Sequence, residues 1–238
     1  MNYYRLGVFS NILFWFSFVL IAYFLLAAYD LLDFRYTQRE WWDEIYNISS
    51  GLLGGALISF LFYFLVVFIP EQKKRHIIKT NLRKMYANVK RDILYQVIFA
   101  SQKGGRADLS ADSETVERLL MVDGFKNAFM SGREGDEGFY AFRNYIGDDV
   151  PEYREIILNL EVLSKQIDFV LHNYPITDVK VFDFFKRLEV FLMRLTKIGP
   201  GYEEEKVLSN FIWEIFGGWD WVEGDRGYDI IEKMIEDI

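Results

Sequence analysis

Hydrophobic and polar positions follow three regimes along this chain. From Leu6 to Tyr29 no residue carries a formal charge, and Val8 to Ala28 is almost entirely Phe, Leu, Ile, Val and Ala. At about 1.5 Å per residue a helix of that length spans roughly 30 Å of hydrocarbon. A second uncharged run extends from Ile45 to Pro70, with its apolar centre at Leu52 to Ile69. The two runs predict transmembrane helices over about 6–29 and 47–70. A cleaved signal peptide is the competing reading of the first, but its apolar region would be shorter and end at a small-residue site, which Leu26-Ala27-Ala28-Tyr29 matches poorly.

Past Pro70 the pattern becomes amphipathic. Ile78, Leu82, Met85, Val89 and Ile93 recur at steps of three and four, while Arg75, Lys79 and Arg83 share another face. This predicts a basic helix over 71–100. Ser101 to Ser113 is small and polar and reads as a loop, with Asp112 or Ser113 capping a helix through Leu119 and Leu120 that continues by Phe125 and Phe129 towards Ser131. Gly132 to Gly138 is a second loop, followed by a short aromatic helix, Phe139 to Tyr145.

The strongest helical pattern comes next. Asp149-Val150-Pro151-Glu152 reads as a start with an acid at the N-cap, and Ile156, Ile157, Leu160, Leu163, Ile167, Val170 and Leu171 form one apolar face. Tyr174-Pro175 ends that helix. A second begins near Asp178 and aligns Val181, Phe182, Phe185, Leu188, Leu192 and Leu195, so the pair forms a helical hairpin. Gly199-Pro200-Gly201 stops the second arm. Glu203-Glu204-Glu205 suits the start of the next helix, which Gly217-Gly218 ends, and Tyr228 to Ile238 is a terminal amphipathic helix. No run alternates as a strand would. The expected fold is all-α: two transmembrane helices (1–70), a basic amphipathic stalk helix (71–100) and an acidic helical-bundle domain (101–238).

Charge orients this layout. The connection from Asp30 to Glu44 holds two basic residues, Arg35 and Arg39, whereas Glu71 to Arg91 holds eight and one acid. Basic residues accumulate on the cytoplasmic side, which predicts both termini in the cytoplasm of a bacterial inner membrane and a short loop outside, where Trp41 and Trp42 suit the interface. Residues 92–238 carry 16 basic and 29 acidic side chains. That excess of negative charge argues against direct nucleic-acid binding by the domain.

Three sets of residues are candidates for contacts. Gly51, Gly55 and Ser59 line one face of the second span, either for self-association into a homo-oligomer or for packing against the first span. Lys73, Lys74, Arg75, Lys79 and Arg83 either meet anionic lipid headgroups or form an ordinary positive flank. Trp213, Trp219, Trp221 and Tyr228 lie in a glycine-rich stretch and are read as core or as contacts to a cytosolic protein partner.

Catalytic chemistry has little to stand on. There is no cysteine, no GxxxxGK[ST], no GxSxG and no HExxH. His172 and Asp168 are four apart on a helix, the spacing of a surface contact. No catalytic residue, metal set or cofactor is implied, and the spans hold no ionisable residue of the kind that couples transport. The order of segments over residues 1–91 resembles that of the two-transmembrane effectors of bacterial antiphage systems, including those associated with retrons. The resemblance implies an effector whose cytoplasmic domain receives a signal and whose spans assemble to perturb the membrane. A membrane-anchored scaffold that recruits a cytosolic partner is the alternative.

Overall fold

A computed structural model describes residues 14–26, 28, 40–130, 137–147, 149–174, 176–197 and 202–238. Most of the connection between the uncharged runs, most of the Gly132–Gly138 loop and the Gly199-Pro200-Gly201 stop lie outside these residues, as do the side chains of Trp41 and Trp42. The chain divides into two compact units, Met1–His76 and Ile77–Ile238. Both are helical.

The first unit holds α1 (Phe14–Leu26) and α2 (Glu40–Tyr63), which meet where the rings of Phe16 and Phe60 pack edge-on at 5.9 Å. A π-helical turn, Phe64–Phe68, joins α2 to α3 (Ile69–Lys103), so the helix does not stop at Pro70. Proline has no N–H to give, and its ring crowds the carbonyl four residues back. The backbone accommodates it with a wider turn, in which the Ile69 N–H bonds to the Phe64 carbonyl five residues earlier.

In the second unit α3 is followed by α4 (Ser113–Leu120), α5 (Val122–Phe129), α6 (Glu137–Tyr145), α7 (Pro151–Asn173), α8 (Val179–Lys197), α9 (Tyr202–Phe216) and α10 (Ile230–Asp237). The amphipathic stripe after Pro70 is a core stripe: Leu82, Val89 and Ile93 are buried, with Ile78 and Met85 packed against them. α7 and α8 share the most extensive helix contact, and the apolar faces expected of both point into the core, except that Phe182 stays exposed. Phe125 is the hub of an aromatic cluster, with Phe129, Phe139, Trp213 and Phe216 at 4.5 to 5.8 Å between ring centres.

Several local expectations are corrected. Helix α3 runs three residues into the supposed loop. The single helix expected from Asp112 to Ser131 is two, because Met121 is extended (φ −80°, ψ 135°). The break lets Phe125 and Phe129 enter the core from a new direction, and Gly124 permits it, since a Cβ there would collide with the Arg118 carbonyl. Asp112 is the cap of α4, its Oδ1 accepting from the Thr115 N–H at 2.9 Å. At α7, by contrast, the N-cap residue is Val150 without a side-chain bond; Pro151 takes the first turn, and Asp149 binds the Arg154 guanidinium, 2.8 Å from its Nε. The chain also forms a two-residue antiparallel ribbon, β1 (Trp219–Asp220) with β2 (Gly224–Asp225), too short to leave an alternating pattern.

The two ends of the second unit are joined by a buried polar cluster. Lys90 Nζ on α3 lies 2.7 Å from Asp229 Oδ2, with the side chains 5% and 1% exposed. The Tyr86 hydroxyl donates to the same oxygen at 2.5 Å, and Asp229 Oδ1 caps α10 by accepting from Ile231 N–H at 2.9 Å. Burial, and then the Asp229 carboxylate beside it, hold the Tyr86 phenol well above its ordinary range, so it remains a donor. Removing one partner of such a pair strands a charge. Asp229→Ala is expected to cost about 3 to 5 kcal/mol, and adding Lys90→Met should recover much of that loss. Denaturant unfolding of the full chain in detergent checks both; equal stability of the single and double variants would assign the loss to the helix cap instead.

Candidate functional site

α8, α9, the ribbon and α10 enclose an open cleft of about 590 Å³ within the second unit. Its floor is apolar, from Phe184, Leu188, Phe191, Phe211 and Ile215, and its polar groups are Arg187, Asn210, Glu214, Asp220 and Arg226. A concave apolar surface with a few convergent polar groups is the usual form of a ligand site. Trp221 forms part of the wall and is 59% exposed.

The ribbon positions that tryptophan. Gly217 and Gly218 end α9, and Gly218 takes φ +57° with Tyr228 backbone so near that a side chain would not fit. Its carbonyl accepts from the Arg226 N–H at 2.8 Å, which closes the loop. Asp220 Oδ1 accepts from the Val222 and Glu223 N–H groups at 2.7 Å each, while its Oδ2 holds the Arg226 guanidinium. Lys126 of α5 anchors Asp225 from outside. These bonds tie down the turn that carries Trp221.

Glu214 lies beneath this turn. Burial pushes its carboxyl above the usual range, against the opposing pull of the Arg226 charge and of a hydrogen bond from Trp221. The cleft therefore offers a carboxyl shifted up from its ordinary range, an amide at Asn210, a guanidinium at Arg187 and an exposed indole. Among the described residues no group of three or more His, Asp or Glu side chains converges as a metal site.

The residues singled out from sequence fall in different places. Trp213 is buried in the aromatic cluster, 5.7 Å from Phe125; Trp219 is half-buried against the core; Trp221 and Tyr228 are exposed. Gly51 and Gly55 have open space where a Cβ would stand, and Ser59 is exposed. Lys73 and Lys74 are exposed and Arg75 is half-buried. Lys79 and Arg83 instead reach α10: Lys79 Nζ donates to the Glu236 carbonyl, and Arg83 pairs with the Glu236 carboxylate at 3.2 Å. His172 Nδ1 lies 2.9 Å from Asp168 Oδ1 on the surface. Arg187, Asn210, Glu214 and Arg226 were missed. Asn210 and Glu214, four apart on an otherwise apolar stretch of α9, were the available signal.

Comparison with protein-family models, curated proteins and solved structures finds no match to this chain.

The raised Glu214 carboxyl has a defined sign. The folded state favours the protonated form, so the stability it contributes is full below the ordinary carboxyl range and is lost as pH rises through the folded value. Relative to the native chain, Glu214→Gln should therefore become progressively more stable as pH rises across that window. Melting temperatures of both proteins over a pH series check this; parallel curves would mean that the carboxyl is not shifted.

Proposed function

We propose that this chain is a bacterial inner-membrane effector held by two spans, with both termini in the cytoplasm, whose helical-bundle domain receives a soluble partner at the cleft. On engagement the spans of several copies assemble and perturb the bilayer, a role suited to antiphage defence. The observation that carries the anchoring is the helical stretch Glu44–Lys103: it is long and apolar enough to cross a membrane, and none of its most apolar window is buried. Leu52, Ile58, Phe62 and Leu65 are among its exposed side chains. At about 25 cal/mol per Å², leaving such a surface in water is costly, and hydrocarbon removes the cost. Phe14, Phe18, Ile21 and Phe24 on α1 are exposed in the same way and support a second crossing.

Assembly is assigned to the row Gly51, Gly55 and Ser59, where the open space over both glycines leaves room for a second backbone. Two spans of one copy cannot enclose water, so permeation requires an oligomer. In this reading the chain has no catalytic role. A scaffold that only recruits a partner is the second reading, favoured by the open cleft with its exposed Trp221 and by spans that lack a polar stripe.

Membrane potential separates the two. Inducing the intact chain together with its trigger should depolarise bacteria, and a variant lacking residues 1–70 should not. Gly51→Leu with Gly55→Leu should reduce both depolarisation and crosslinked oligomers. A steady potential with the partner bound would leave the scaffold.

A further inference from the structure

The outer face of the α7–α8 hairpin carries apolar side chains that the core does not use. On α8, Val179, Phe182, Val190 and Met193 are exposed and recur at steps that keep them on one side, opposite the buried Val181, Phe185, Leu188 and Leu192. On α7, Leu158, Val162 and Phe169 form a matching row opposite Ile156, Leu160, Leu163 and Ile167. Exposed apolar rows on two adjacent helices are candidates for a contact.

Charge identifies what it contacts. The exposed charged residues of α8 are Lys180, Lys186, Arg187, Arg194 and Lys197 against a single acid, Asp183. Lys186 also pairs with the buried Glu189 at 2.7 Å. On α7 the exposed or half-exposed Glu155, Glu161 and Asp168 are offset by Arg154 and Lys165, with Glu161 and Lys165 bonded to each other at 2.7 Å. Setting aside Arg187, which lines the cleft, and Lys186, which Glu189 neutralises, α8 keeps Lys180, Arg194 and Lys197 against Asp183 and is net positive, although residues 77–238 hold 21 basic and 29 acidic side chains in all. Apolar side chains interleaved with Lys and Arg along one helix face are the signature of binding at an anionic bilayer surface, where the rings and aliphatic groups enter the headgroup region and the cations meet phosphate.

We propose that the outer face of α8, flanked by the apolar row of α7, is a docking surface for anionic lipid. This rests on the membrane anchoring argued above and adds a second, reversible attachment of the receiving domain. Because α8 also supplies Phe184, Arg187, Leu188 and Phe191 to the cleft, lipid contact and partner binding draw on one helix.

The chain has no cysteine, so single reporters have no background. Val190→Cys carrying an environment-sensitive nitrobenzoxadiazole dye is reconstituted, as the full chain, in phosphatidylcholine vesicles and in equimolar phosphatidylcholine and phosphatidylglycerol. The expected result is a blue shift and about a twofold or greater gain in emission with the anionic lipid only, abolished by Lys180→Glu with Arg194→Glu and Lys197→Glu and reduced by salt. Circular dichroism of the charge variant checks that the fold is intact. Identical spectra in both vesicles overturn the proposal, as does a blue shift that ignores lipid charge, which would indicate a protein contact. A dye at Ile58→Cys reports the anchor separately: if it stays in water the span reading fails, and if it is in hydrocarbon while Val190 shows no response to lipid charge, only the lipid surface fails.

Discussion

A carboxylate taken out of water is tolerated only when its charge and lone pairs are met, and Asp229 organises the second unit around that requirement. Lys90 neutralises it, Tyr86 donates to it, and two N–H groups at the start of α10 use its other oxygen. The groups come from opposite ends of that unit. Their geometry therefore requires α3 and α10 to be docked together, and Ile231, Ile235 and Ile238 are buried in the core of the same unit. An isolated salt bridge on the surface would contribute little, but a buried one makes any other arrangement of these two helices expensive.

The cleft depends on that docking. α10 forms one of its walls, and the ribbon that carries Trp221 leads directly into Asp229. Gly218 sets the sharp exit from α9, and the Asp220–Arg226 pair closes the loop over Glu214. The turn that carries Trp221 is held by backbone and side-chain bonds rather than by packing alone.

The distribution of charge gives the second unit distinct faces. Acidic on the whole, it has basic residues along α8 and at the start of α3, where Lys79 and Arg83 already engage the last turn of α10. Their position answers a helix C-terminus, whose carbonyls attract cations. On α8, Arg194 and Lys197 lie in the helix's own last turn, beside the apolar side chains of its outer face.

Much of this protein was legible from the sequence, because helical periodicity and uninterrupted apolar length are local properties. The faces of α7 and α8, the Asp112 cap, the stop at Tyr174 and the apolar helix beginning near Ile45 each depend on residues a few positions apart. What the sequence left undecided depends on residues distant along the chain. Whether Trp213 is core and Trp221 surface is set by where α5 and α6 deliver Phe125 and Phe139. The break at Met121 serves tertiary direction rather than local propensity, and Asp149, one residue ahead of the N-cap Val150, pairs with Arg154 instead of capping. The pairing of Lys90 with Asp229, and the cleft above it, exist only once the two ends of the unit meet, since no pattern within either segment specifies the other.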